Sequence, residues 1–313
     1  MITVWELDKD VKSVQLHPLQ SRSFYWIDCS HPSEHDIRAL AHILSVSEDL
    51  IVDSFDPKQR PQASISGKHL ALAFRGATGG VGRLSIASFG IFASKQCVIT
   101  IHDKQVRGID MLLKLSGDQR LKLMNNGAGH LLYRIMDSVI DEFFHTLESI
   151  EEQIDVIENQ VLREPTQIVT QKIFMLKRQL IYTHKALSVN RDIISSIEKN
   201  YIDELRMSHS TEFHELYNMI VQLLENVSTH HEILTTVLDM HVGSVNANLN
   251  KVMKTLTVLS AFVLVPGLIA NIYGMNFRNM PEIVWQYGYY YSLSLMVFSI
   301  IVLYVYFKRK GWI

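Results

Sequence analysis

Asn276 closes the triplet Gly274, Met275, Asn276, which follows a charge-free run at 256–273. A side-chain amide offers a neutral acceptor oxygen. Several such oxygens converging on one axis suit a hydrated divalent cation of the magnesium kind. That ion gives up first-shell water reluctantly, and neutral acceptors bind the hydrate through its water hydrogens. A ring of carboxylates would hold it more tightly and slow its exit. Upstream, polar or small residues recur with a seven-residue repeat: Asn250, Thr257, Leu264 and Asn271 form one row, and Met253, Ser260 and Gly267 fall three places after its first three members. On a helix these rows share a face, while Val258, Phe262, Val265 and Ile269 lie on others. Two readings fit. The face lines a water path, or its small and hydroxylated side chains pack membrane helices together. The first needs several copies of the chain, because one pair of helices cannot enclose a path.

The run at 256–273 is about 18 residues long, close to the ~20 that cross a ~30 Å hydrocarbon core as a helix. A second charge-free run of similar length covers 289–307. The residues between them include Gly, Pro and Asn with the charges Arg278 and Glu282, so they belong in water at one face. Lys251 and Lys254 precede the first run, and Lys308, Arg309 and Lys310 follow the second. Cations near span ends favour the cytoplasmic side, which puts both flanks inside and the loop outside. With no signal peptide in front of it, the long N-terminal part is expected in the cytoplasm. Tyr273, Trp285, Tyr287, Tyr289, Tyr290 and Tyr291 then form the outer aromatic belt, with Tyr304, Tyr306 and Trp312 at the inner interface.

A single helix should position the first run. Ser210 suits a helix N-cap, Glu212 and Glu215 follow in the first turns, no proline appears before Pro266, and Gly243 is the one glycine before Gly267. The resulting helix, 211–273, would be on the order of 95 Å long. A helix of that length cannot bury its apolar residues against a small domain alone, so it implies a bundle or self-association.

The N-terminal part reads as mixed α and β. Strands are expected at 2–7, 24–29, 69–74, 84–93 and 97–102, with helices at 32–44 and 47–54. The glycine run at 76–82 is expected as a hairpin loop, since it lacks the lysine and the strand-to-helix setting of a phosphate loop. Two long helices follow at 131–162 and 166–197, interrupted by Pro165, and the acids Glu148, Glu151, Glu152, Asp155 and Glu158 read as a solvated face. The boundaries drawn on this pattern are 1–125 for the α/β domain, 126–209 for an antiparallel helix pair, 210–273 for the stalk and first span, 274–288 for the outer loop, 289–307 for the second span and 308–313 for a basic tail.

The formal net charge of −2 and pI near 6.7 leave no basic footprint for nucleic acid. Cys29 and Cys97 suit buried thiols in a reducing compartment. The 14 histidines, among them His209, His214, His230, His231 and His241, show no compact spacing of metal ligands. No pairing of nucleophile and base is visible, so an enzyme and an organic cofactor are not expected.

Tyr-Gly-Met-Asn-Phe at 273–277, Met-Pro-Glu-Ile at 280–283 and Tyr-Phe-Lys-Arg-Lys-Gly-Trp at 306–312 together resemble the CorA family of magnesium channels. The resemblance covers the plan of the whole chain. It implies an α+β cytoplasmic domain followed by long stalk helices and a two-helix transmembrane hairpin, assembled as a homopentameric funnel in the plasma membrane. Magnesium would be the cargo, with cobalt and nickel as further candidates. Gly274, Met275 and Asn276 would form the selectivity filter. Asn250, Met253, Leu256, Thr257 and Leu264 would line the pore, with Met253, Leu256 and Leu264 as constrictions that gate by dewetting. Lys308, Arg309 and Lys310 would ring the inner mouth. Magnesium held between cytoplasmic domains would keep the channel closed, with Glu215 and Asp239 on the stalk and Asp53 or Asp56 as candidate partners. The segment matching the family's sheet acid, Ala-Phe-Arg-Gly-Ala-Thr-Gly-Gly, carries no carboxylate. Arg278 also departs from the family, which often carries Glu just after the motif. The competing expectations are a proton-coupled zinc carrier of the ZntB kind, and a signalling or scaffold protein for which the hairpin is only an anchor.

Overall fold

The computed structural model describes residues 2–7, 11–14, 23–59, 61–78, 85–163, 166–200, 210–276, 280 and 285–313. Pro165, His209, Arg278, Glu282 and positions 79–82 of the glycine run lie outside them. The chain divides into two compact units, Met1–Leu238 and Asp239–Ile313.

In the first unit the described strands are β1 (Ile2–Leu7), β2 (Val11–Val14), β3 (Phe24–Ser30), β4 (Ala63–Ser66), β5 (His69–Thr78), β6 (Ser85–Ala93) and β7 (Cys97–His102). They form one sheet in the order β2-β1-β3-β7-β6-β5-β4. β3 and β7 are parallel, with Ile27 opposite Ile99, and the other neighbours are antiparallel. A parallel pair is buried on both faces, and every residue of β7 is buried.

The alternation of side chains divides the core into two layers. Ile27, Cys29, Ile99 and Ile101 pack with Leu40 and Leu44 of α1 (Glu34–Leu44) and Ile51 of α2 (Glu48–Phe55). Ser33 caps α1 through a reciprocal bond with Asp36, and the Ser47 hydroxyl accepts from the Leu50 amide at 3.3 Å to cap α2. Cys29 and Cys97 are free thiols buried in this layer. Burial, together with Asp36, pushes the Cys29 thiol up to about 12, so it stays protonated and inert.

The opposite face is covered by α3 (Arg107–Leu113), α4 (Gly117–Asn125), α5 (Gly127–Arg163) and α6 (Gln167–Asn200). Expectation and structure differ at the glycine run. Gly76, Ala77 and Thr78 extend β5 and pair with Ala87, Ile86 and Ser85, so they do not open a loop. At Gly76 a Cβ would come within 2.6 Å of Val106 Cγ1, so this glycine is required by packing and not by a turn. β2, β4, α3 and α4 are elements that the periodicity did not reveal. They are short, and the two strands carry little apolar alternation.

The helix α7 runs Ser210–Tyr273, with Ser210 as its first residue and not its cap. In the first unit it buries Phe213, Leu216, Ile220, Leu223, Val227 and Leu234 at spacings of three, four and seven. The last described helix is α8, Gly288–Arg309.

Candidate metal-ion path and its supports

The second unit holds the charge-free helices. Both α8 and α7 are long and apolar enough to cross a membrane, with peak mean hydropathies of 1.8 and 2.0. α7 continues through Pro266, although proline removes the donor to the carbonyl of Phe262. The Thr257 hydroxyl donates to the carbonyl of Met253 at 2.8 Å, as hydroxyls commonly do where water is scarce.

Exposure separates the faces of α7. Val258, Phe262, Val265 and Ile269 are partly covered, as are Ala261 and Gly267. Their counterparts on α8 are Gly288, Ser292, Met296, Ser299, Leu303 and Phe307, spaced by three or four, and Phe262 meets Phe307 at 6.2 Å between ring centres. Asn250, Met253, Leu256, Thr257, Ser260, Leu264 and Asn271 are all exposed. Met253, Leu256 and Leu264 leave 59%, 54% and 67% of their surface uncovered. Of the two proposed rows only Gly267 falls on the partly covered side.

The helix ends where the glycine stands. The Gly274 amide donates to the Ala270 carbonyl at 2.9 Å and the Met275 amide to Ile272 at 3.2 Å. Met275 and Asn276 follow, both exposed. At the far end of α8, Lys308 and Arg309 occupy the last turn and Lys310 caps it. The Lys308 ammonium sits 5.7 Å from the centre of the Tyr304 ring.

The candidate regulatory acids are not gathered in one chain. Asp53 is exposed on α2 and accepts from Gln59 Nε2 at 3.0 Å, while Asp56 accepts from the Lys58 amide at 2.8 Å. Glu215 is exposed on α7, where it acts on Tyr133 and Asp137 of α5. Burial, with Asp141 and Glu215 adding to it against Arg134, holds the Asp137 carboxyl above the ordinary range. Asp239 is exposed in the second unit. Among the described residues, no group of three or more His, Cys, Asp or Glu could hold a metal ion. His184 and His231 do line a cavity of about 330 Å³ between α6 and α7, with Glu232 and Lys185. His214 pairs with Glu198 at 3.1 Å, and His230 and His241 are buried.

Sequence reasoning missed one set of supports. Arg75 of β5 donates to the carbonyls of Pro57 at 3.0 Å and Gln59 at 3.2 Å, and to Ser88, fixing the turn that follows α2. Burial lowers this guanidinium's affinity for its proton, and Asp56 offsets part of that. An arginine in a strand carries no signal of such a role.

An α+β soluble unit, long helices and two C-terminal helices fit for a bilayer define the class: a membrane protein with a large soluble part. The model of the CorA-like Mg2+ transporter protein family matches residues 21–309, and the chain belongs to that family. The cobalt/magnesium transport protein CorA of Methanocaldococcus jannaschii is 28% identical to it over 319 residues, covering all of both chains. The cobalt/magnesium transport protein CorA of Thermotoga maritima is 28% identical over 97% of this chain and 87% of its own. The complete structure of the CorA magnesium transporter from Methanocaldococcus jannaschii superposes with a TM-score of 0.90 at 25% identity, over 100% of this chain and 99% of that one.

Proposed function

We propose that this protein is a divalent cation channel for magnesium uptake across the plasma membrane, with cobalt and nickel as further cargo. Five copies place their α7 helices innermost and α8 towards lipid. The observation that carries this reading is the exposed row on α7, Asn250, Met253, Leu256, Thr257 and Leu264, on a helix whose opposite side is the one partly covered. Lipid can cover the apolar members of this row; the polar Thr257, and Ser260 and Asn271 on the same face, are accounted for by neighbouring copies around a shared axis.

At the outer mouth Asn276, set by Gly274 and Met275, presents amide oxygens to a hydrated ion and accepts hydrogens from its water. Selection therefore costs no dehydration. Along the path, Asn250 and Thr257 offer polar footholds. Met253, Leu256 and Leu264 close it by expelling water when the helices approach. Lys308, Arg309 and Lys310 surround the inner mouth and anchor both termini on the cytoplasmic side.

Regulation follows from electrostatics. Asp53 or Asp56 of one copy faces Glu215 or Asp239 of the next, and such acids repel unless a divalent ion bridges them. High cytoplasmic magnesium therefore holds the interfaces together, and low magnesium releases them. In the outer loop Arg278 weakens the attraction of cations, leaving Glu282 to oppose it.

The reading as a zinc carrier draws less support, because the relatives matched over the whole chain are magnesium and cobalt transport proteins. The deciding experiment is ion flux through the purified protein in vesicles, comparing wild type with Asn276→Ala at high and low internal magnesium. Magnesium flux that falls at least tenfold in the variant is expected. Equal flux from both proteins would remove Asn276 from selection, and proton-driven zinc flux without magnesium flux would replace the proposal.

A further inference from the structure

Phe307 is 5% exposed and is the one apolar side chain buried among the described residues of 239–313. Its ring is met by Phe262 of α7 at 6.2 Å and by Trp312, which stacks on it at 5.7 Å with planes 20° apart. The backbone brings Trp312 there. Gly311 takes a left-handed φ of 67°, its amide donates to the Lys308 carbonyl at 3.1 Å, and the Trp312 amide donates to the Phe307 carbonyl at 3.0 Å. These two bonds and the ring contact make a Schellman closure, which satisfies carbonyls that a helix end otherwise leaves bare.

Lys308, Arg309 and Lys310 lie inside that closed turn. Cations there are favoured by the helix C-terminus, and the Trp312 ring contact holds the turn that carries them against Phe307. Phe262 meanwhile shares the continuous helix α7 with Leu256, Thr257 and Leu264. Two residues, or about 200° of helical rotation, separate Phe262 from Leu264. A ring held on one side of α7 therefore sets the direction of Leu264 on the other.

We infer that the Phe262, Phe307 and Trp312 stack is a positioning element of the channel. It joins the C-terminal cations and the gate-bearing turns of α7 into one rigid corner, so that neither moves without the other. The inference rests on the channel reading above.

The test uses the full-length protein in vesicles, comparing wild type with Trp312→Phe, Trp312→Leu and Trp312→Ala. At high internal magnesium, Trp312→Ala and Trp312→Leu should raise magnesium leak at least threefold, with the external half-saturation unchanged. Trp312→Phe, which keeps a ring, should restore the low leak. A second readout is Thr257→Cys labelled by a water-soluble thiol reagent, the native Cys29 and Cys97 being buried. At high internal magnesium its labelling should quicken at least threefold when Trp312→Ala is added. Leucine separates loss of the ring from failed assembly. Wild-type leak in Trp312→Leu would overturn the inference, as would unchanged labelling of Thr257→Cys when Trp312→Ala is added, or a changed half-saturation with unchanged leak. Absence of Thr257→Cys labelling at both high and low magnesium would overturn the channel reading itself.

Discussion

Asn190 stands in for a strand beside Arg75. Its side-chain oxygen accepts from the Arg75 amide at 2.9 Å, and its side-chain nitrogen donates to the Arg75 carbonyl at 2.8 Å. The pairing of β4 with β5 stops at Leu72, so Arg75 has no strand partner on that side, and α6 supplies one through a fully buried amide. Replacing Asn190 by Ala leaves two backbone groups without partners at about 1–3 kcal/mol each. We expect Asn190→Ala to destabilise the soluble unit by about 2–4 kcal/mol, read as a lower thermal midpoint by circular dichroism, with Asn190→Asp also impaired because it keeps only the acceptor.

His102 and Asp28 make a buried pair at the ends of the parallel strands, with Nε2 3.3 Å from Oδ1. His102 Nδ1 donates to the Lys104 carbonyl at 2.9 Å, and Thr100 donates to the same Asp28 oxygen at 2.5 Å. Burial alone would lower the His102 proton affinity. The hydrogen bond and charge of Asp28, with the Lys104 carbonyl and Asp110, outweigh it and raise the net value above the ordinary 6.5. A folded-state value raised above the unfolded one gives stability that is whole below pH 6.5 and lost as pH rises through the folded value. Asp110, raised mainly by burial, has the same sign, but its contribution is lost from its ordinary 3.8 upward and not from that of the histidine. The thermal midpoint should therefore fall as the pH rises above 6.5, and His102→Gln should flatten that decline.

Gly108 marks a close approach of α3 to α5. A Cβ there would lie 2.5 Å from the Ser138 carbonyl oxygen and 2.6 Å from the Val139 nitrogen, and the Ser138 hydroxyl already donates to the Gly108 carbonyl at 2.9 Å. Backbone cannot yield as a side chain can, so the helices must separate. Gly108→Ala should cost about 1–3 kcal/mol, checked by denaturant unfolding, whereas Gly117→Ala, with open space around it, should cost little.

Asn276→Asp tests the charge of the proposed filter rather than its presence. A carboxylate ring would bind divalent ions more tightly than amides and release them more slowly. In vesicle flux assays the external half-saturation for magnesium should fall several-fold while maximal flux also falls. Unchanged values for both would argue that Asn276 faces away from the ion.

Much of the second unit was legible in the sequence because a bilayer imposes a one-dimensional rule. A charge-free run of fixed length, preceded by Lys251 and Lys254 and closed by Gly274, needs no tertiary partner to be recognised, and the helix does end at Tyr273. Seven-residue spacing set out most of the exposed row on α7, with Leu256 added by the family resemblance and Gly267 falling instead on the partly covered side. The first unit was harder to read. Leu70 to Phe74 announce β5, but its extension through Gly76 to Thr78 depends on pairing with β6, a contact no local propensity encodes. The roles of Arg75, Asn190 and His102 were likewise invisible, because each depends on groups distant in the chain: Asn190 lies 115 residues from Arg75, and His102 lies 74 from Asp28. Local pattern determined the long helices and the Gly-Met-Asn motif that ends one of them. Tertiary structure decided which polar groups are buried together, because only folding brings distant donors and acceptors within bonding reach and removes the water that would otherwise serve them.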